Sequence, residues 1–143
     1  VSAERTGNTG ELESLSRRAV ACKHWRWLPG MLTTDGLRIL EGGTHYVIGY
    51  KFGETRRGGG LFDGESTGLL PDLTDPATLG CVLALVREAF PTAPATTSRH
   101  SSWEMSRGHY YFWIVSFCTG KKWDQSSGQT EAAALVAALE AAP

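Results

Sequence analysis

Nine consecutive residues, His109–Phe117 (His-Tyr-Tyr-Phe-Trp-Ile-Val-Ser-Phe), constrain the fold more than any other stretch of the chain. Aromatic and β-branched side chains suit a pleated surface, and Arg107-Gly108 before and Thr119-Gly120 after punctuate the run as a strand. Side chains alternate between the faces of a strand. One face would carry His109, Tyr111, Trp113, Val115 and Phe117; the other would carry Tyr110, Phe112, Ile114, Ser116 and Cys118. Both sets are mainly apolar, where a strand with one wet face alternates apolar with polar. The pattern predicts a strand covered on both faces.

The chain has 143 residues, the size of one domain, and can bury a real core without covalent staples. Net charge is −1, which excludes a global polyelectrolyte role. The three cysteines, Cys22, Cys81 and Cys118, are odd in number and widely spaced, so they read as free thiols in a reducing compartment. No stretch reaches the apolar length of a membrane span or a signal peptide, and a soluble, cytoplasmic protein is expected.

Taken in order, residues 1–10 are small and polar and are expected to form a disordered tail. Leu12, Leu15, Ala19 and Cys22 form one helical stripe, predicting a helix over about 11–22. Met31–Thr34 and Leu37–Leu40 flank Asp35-Gly36, a hairpin signal of the type I′ kind. A third strand is expected at Thr44–Phe52. Residues 53–68 form a long loop in which six of sixteen positions are glycine. Asp75 is a good helix N-cap and Pro76 suits the first helical position. The following helix has Leu79, Val82, Leu83, Val86 and Phe90 on one stripe, widened by Cys81 and Leu85, so it reads as buried nearly all round. Gly80 inside it implies a close approach to the sheet. Pro91–Ser102 reads as a polar linker, Trp103–Ser106 as a strand paired to the aromatic run, and Cys118–Gly128 as a loop with a short edge strand at Lys121–Asp124. Thr130 caps a last helix over about 131–141.

The expected order is α-β-β-β-α-β-β-α, an α+β fold in which residues 11–143 make a single domain. Helices on both sides of a mostly antiparallel sheet would give an α-β-α sandwich. The runner-up is a two-layer α+β domain with one wet sheet face.

Three blocks carry a resemblance: the segment Ala21-Cys22-Lys23-x-Trp25-x-Trp27-Leu28-Pro29-Gly30-Met31, where x is any residue, the segment Leu70–Cys81, and the alanine-rich end Thr130–Glu140. Together they cover about half of the chain. They resemble small uncharacterised bacteriophage and prophage proteins of the phage ABA-sandwich type. The resemblance implies a phage origin, and a layered fold in agreement with the order above. It brings no catalytic residues with it.

The titratable side chains give little support to catalysis. Cys22 and His24 form a C-x-H pair, and His45, His100 and His109 lie far from it, whereas a metal site needs three or four convergent ligands. Cys118 and His109 sit at opposite ends of one strand, about 30 Å apart, too far for a thiol and its base. No G-x-S-x-G elbow is present. Of two H-x-[ST] motifs needed by a two-histidine phosphoesterase, only His100-Ser101-Ser102 exists, and it motivates a hydrolase as the enzyme-class alternative. No catalytic residue, metal or cofactor is predicted.

Binding is better supported. Arg56, Arg57, Gly58, Gly59 and Gly60 set guanidiniums beside permissive backbone. They could clamp an anion or nucleotide, although the Lys-Ser/Thr of a P-loop is missing. Leu61 and Phe62 could anchor a protein partner from the same loop. Lys121, Lys122 and Trp123, like Trp25, Arg26 and Trp27, join cations to a stacking ring as nucleic-acid binders do, and Trp123 is the ring most expected to be exposed. The preferred reading is a phage-encoded, non-enzymatic accessory protein in the host cytoplasm. It would bind a host protein or a small nucleotide signal and so inhibit a host defence system or enzyme. A nucleic-acid-binding protein and a phage structural protein are the alternatives.

Overall fold

In a computed structural model, the backbone is described for residues 2–40, 46–51, 61–62 and 69–143, and side chains for residues 9–39 and 69–143. The fold is α+β, with three helices and antiparallel sheets among the described residues. The elements are α1 (Ser2–Ala21), β1 (Leu37–Leu40), β2 (Tyr46–Lys51), β3 (Leu61–Phe62), α2 (Pro76–Ala89), β4 (Thr96–Glu104), β5 (Gly108–Cys118), β6 (Trp123–Gly128) and α3 (Glu131–Ala141). The residues group into two compact units. One holds residues 1–21 and 25–81, the other residues 22–24 and 82–143.

In the first unit, α1 reaches back to Ser2, so residues 2–10 are helical where the sequence predicts a tail. Leu15, Ser16 and Ala19 are buried, and the Ser16 hydroxyl donates to the Pro71 carbonyl at 2.9 Å. The Asp35-Gly36 turn forms as expected but not as type I′, which needs positive φ at both central residues. Only Gly36 has positive φ, 82°, and its N–H donates to the Thr33 carbonyl at 3.0 Å. That is a type I turn closed by a left-handed glycine. The Met31–Thr34 strand is reduced to isolated bridges, Leu32 with Arg38 and Thr33 with Pro71. The sheet order is β1-β2-β3, antiparallel throughout. Trp27, Met31, Ile39 and Leu73 form the apolar core of this unit.

The start of α2 follows the sequence closely. Asp75 Oδ2 accepts from the Thr78 backbone N–H and hydroxyl, each at 2.9 Å, and from Arg38 Nη1 at 2.9 Å. Arg38 also donates to the Gly30 carbonyl at 2.8 Å. Burial raises the Asp75 pKa, but these hydrogen bonds and the Arg38 charge outweigh it, and the net shift is downward. A carboxylate with a lowered folded pKa stabilises the fold above its unfolded value and loses that contribution as pH falls through the folded one. Asp75→Asn keeps a capping oxygen and loses the charge. It should be less stable than wild type at neutral pH by about 1 kcal/mol. In urea titrations, that gap should close as pH drops below about 4.

The second helix is less enclosed than its sequence predicts. Thr78, Val82, Leu85, Val86 and Phe90 are buried, but Ala77 and Gly80 are exposed and Leu79 and Leu83 only half-buried. A Cβ at Gly80 would have no heavy atom within 4 Å, so this glycine does not serve a close approach.

The second unit is built on the sheet β4-β5-β6. The linker expected at Pro91–Ser102 is largely strand. β4 pairs with β5 in unbroken register from Thr96↔Ser116 to Glu104↔Gly108. The expected loop after Cys118 contains a full strand, β6, paired from Trp113↔Gly128 to Cys118↔Trp123. Thr130 caps α3 as expected, its side chain accepting from the Ala133 N–H at 3.1 Å. Helices flank this sheet. α3 packs on β5 and β6, and the Phe90 ring at the end of α2 stacks on Phe117 with centroids 4.3 Å apart. Glu131 of α3 accepts from the Thr97 hydroxyl at 3.3 Å. That contact puts the helix on the face carrying Thr97, Val115 and Phe117.

Candidate functional site: an aromatic two-stranded arm

The pairing registers leave part of the sheet only two strands wide. β6 pairs with residues 113–118 of β5 and no further, whereas β4 continues beside β5 to the turn. Residues 100–104 and 108–112 therefore form an arm that runs past the edge of β6, with Arg99 at its base opposite Trp113. The turn of the arm is closed by the Arg107 N–H donating to the Glu104 carbonyl at 3.2 Å, with Gly108 at φ 68°.

Burial follows from this geometry. Val115, Phe117 and Cys118, at the three-stranded end of β5, are buried as the sequence predicts. Along the arm the expectation of two covered faces fails. Trp103 is 63 % exposed and Tyr111 55 %, and His109 is exposed as well. On the opposite face Tyr110 and Phe112 are half-buried, between exposed Ser98, His100 and Ser127. The aromatic alternation that reads as a doubly covered strand instead gives a ribbon whose rings meet solvent on both sides.

Arginines sit against those rings. The Arg99 guanidinium lies 4.2 Å from the Tyr111 ring centroid, across the β4–β5 diagonal. Tyr111 also makes an edge contact with His109 at 5.9 Å, and Trp103 stands opposite His109 in the ladder. One face of the arm thus carries Arg99, Tyr111, His109 and Trp103. On the other face Arg107 lies 5.4 Å from the Tyr110 ring, and His100 stacks on Phe112 at 5.6 Å. The Tyr110 hydroxyl donates to Glu104 at 3.1 Å. Such cross-strand ring and cation contacts hold a two-stranded ribbon that is marginal in isolation. A shallow groove runs beside the unpaired edge of β5, lined by Arg107, Tyr110, Phe112, Ser127 and Gln129 among others.

The residues singled out from the sequence are distributed otherwise. Arg56, Arg57, Gly58, Gly59 and Gly60 lie outside the described residues, and Phe62 is described only by its backbone, in β3. The loop expected at 53–68 thus contains at least this short strand, paired with Tyr46 and Val47. Lys121, Lys122 and Trp123 are all exposed, Trp123 at 55 %. Trp123 pairs with Cys118, at the end of β5 remote from the arm, so this trio does not join the Arg99–Tyr111 cluster. Trp25 and Trp27 pack edge to face at 5.5 Å, with Trp27 buried, and offer no platform.

Catalytic arrangements are not assembled among the described residues. His100 Nε2 is 2.8 Å from Ser98 Oγ, within its own strand. The Cys118 thiol donates to the Gly120 carbonyl at 3.3 Å. Burial first, and then the nearby Asp75 charge, push the Cys81 thiol pKa up, away from a reactive thiolate. No three His, Cys, Asp or Glu side chains among the described residues converge as a metal site would require. No helix among them is long and apolar enough to cross a membrane. The signal missed in the sequence was the pairing of Arg99 with Tyr111. Arg99 lies in a stretch whose sequence reads as linker, and that reading does not place it beside the aromatic strand.

Comparison with protein-family models, with curated proteins and with solved structures finds no match to this chain.

Proposed function

We infer that the protein is a non-catalytic binding protein whose β4–β5 arm holds unpaired bases of a single-stranded nucleic acid. One observation carries the reading: Trp103 and Tyr111 are exposed large rings on one face of a projecting ribbon, with the Arg99 guanidinium over one of them. Rings exposed in a group mark contact surfaces more often than chance. Aromatic rings stack on any base, and an adjacent guanidinium meets the phosphate or stacks in turn. In the phage setting that the sequence resemblance implies, such a protein would act on host or phage nucleic acid in the host cytoplasm.

A reading in which the arm grips a host protein rests on the same rings but makes less use of the two arginines. A nucleotide clamp at Arg56–Gly60 draws on sequence alone.

The deciding experiment is a fluorescence anisotropy titration of the full chain against labelled single-stranded oligonucleotides and their duplexes. Binding of single strands should quench tryptophan fluorescence and weaken with salt. The slope of log K against log salt should lie between about −1 and −3, because few cations line the arm. Failure to bind at low salt, or a preference for duplex, would overturn the reading.

A further inference from the structure

We propose that the outer edge of β4 pairs antiparallel with β4 of a second copy of this chain, centred on Ser101. Among the described residues, the order β4-β5-β6 leaves one side of β4 without a strand, so every second residue there presents N–H and C=O groups that no described strand pairs. Seven of its nine residues are exposed, Thr97 and Ser102 being the half-buried ones. Folded proteins blunt such edges with prolines, bulges, very short strands or charges. Thr96–Glu104 holds no proline, its register with β5 has no irregularity, and its formal charges are Arg99 and Glu104, of opposite sign.

The residues of the edge are complementary to themselves. A two-fold axis through Ser101 sets each residue opposite one of the same parity, on the same face of the joined sheet. Arg99 then stands opposite Trp103 of the second copy, and Trp103 opposite its Arg99. Ser98 meets Glu104, His100 meets Ser102, and Ser101 meets itself. Each Trp103 gains a guanidinium beside its exposed ring, and no like charges face each other. Moving the axis to His100 would instead place Thr97 opposite Trp103 and the two His100 rings against each other. Pairing on Ser101 also turns two marginal two-stranded arms into one four-stranded sheet. The inference needs only the free edge and its register, and it holds whether or not the arm binds nucleic acid.

Analytical ultracentrifugation of the full chain over a range up to about 0.1 mM is the first test, because an interface of this size supports weak association. A reversible monomer–dimer equilibrium is expected. Ser101→Lys places like charges opposite each other at the axis and should weaken the dimer at least fivefold, as should Ser101→Glu. Ser101 is exposed, and circular dichroism should show both variants folded. An equimolar mixture of the two should recover the dimer as a heterodimer, seen by native mass spectrometry. A wild-type chain that stays monomeric overturns the proposal. A dimer indifferent to both charges, or a mixture without recovery, overturns the register and with it the assignment to this edge. Capture of an unrelated extended peptide by β4, with no self-association, likewise overturns it.

Discussion

Gly128→Ala is expected to lower the thermal unfolding midpoint by about 10 °C, from a destabilisation of about 3 kcal/mol. Gly128 ends β6, two residues before the cap of α3. A Cβ there would lie 2.7 Å from the Ala133 Cβ and 2.7 Å from the Ala134 backbone nitrogen, and 2.9 Å from the Ala133 carbonyl carbon. Two of those three atoms are helix backbone, which cannot swing aside as a side-chain tip can. Relief requires shifting the first turn of α3, whose buried Ala132, Leu135, Val136 and Leu139 form the core against the sheet. Gly80→Ala is the control. A helical glycine with nothing near its Cβ should gain about 0.5–1 kcal/mol when replaced by alanine. Circular dichroism melts of the two variants should therefore move in opposite directions. Equal midpoints would mean that α3 does not pack tightly on the end of β6.

The second large effect is on binding. Trp103→Ala with Tyr111→Ala should remove measurable affinity for single-stranded oligonucleotides. Each stacked ring contributes about 1–3 kcal/mol, and the two together span about two to four orders of magnitude in affinity. Both side chains are exposed, so the melting midpoint should change little. Arg99→Gln should cost less, roughly tenfold, and should flatten the salt dependence by about one unit of slope. If the double variant binds as wild type does, the rings are not the platform. The nucleotide clamp at Arg56 and Arg57 would then be the next segment to test.

The features that proved legible from sequence are those fixed by local chemistry. Asp75 and Pro76 start α2 where they should, because a side-chain oxygen and a preset φ act within one turn. Thr130 does the same for α3. Asp35-Gly36 marks a turn, but the φ of Asp35 separates turn types and is not written in the dipeptide. The departures from the sequence pattern have a common cause in β4. Its run Thr-Thr-Ser-Arg-His-Ser-Ser lacks alternation, because both of its faces and its outer side meet solvent along the arm. Read as a linker, it could neither pair with the aromatic strand nor carry Arg99 to Tyr111. The aromatic strand in turn looked buried on both faces. Its rings do alternate as core rings would, but neither β6 nor α3 extends far enough to cover them. How far a neighbouring strand reaches is a tertiary fact that no residue of β5 encodes.

The chain's two methionines stand at opposite extremes of exposure. Met105, at the tip of the arm, is 90 % exposed, and Met31, in the first unit, is 0 %. Of the two methionines, only Met105 should therefore take up oxygen from dilute hydrogen peroxide in the intact molecule, with Met31 following only on unfolding. Peptide mapping of that sulfoxide gives a chemical gauge of native state in every preparation. Any partner that closes over the tip should slow the first oxidation without touching the second.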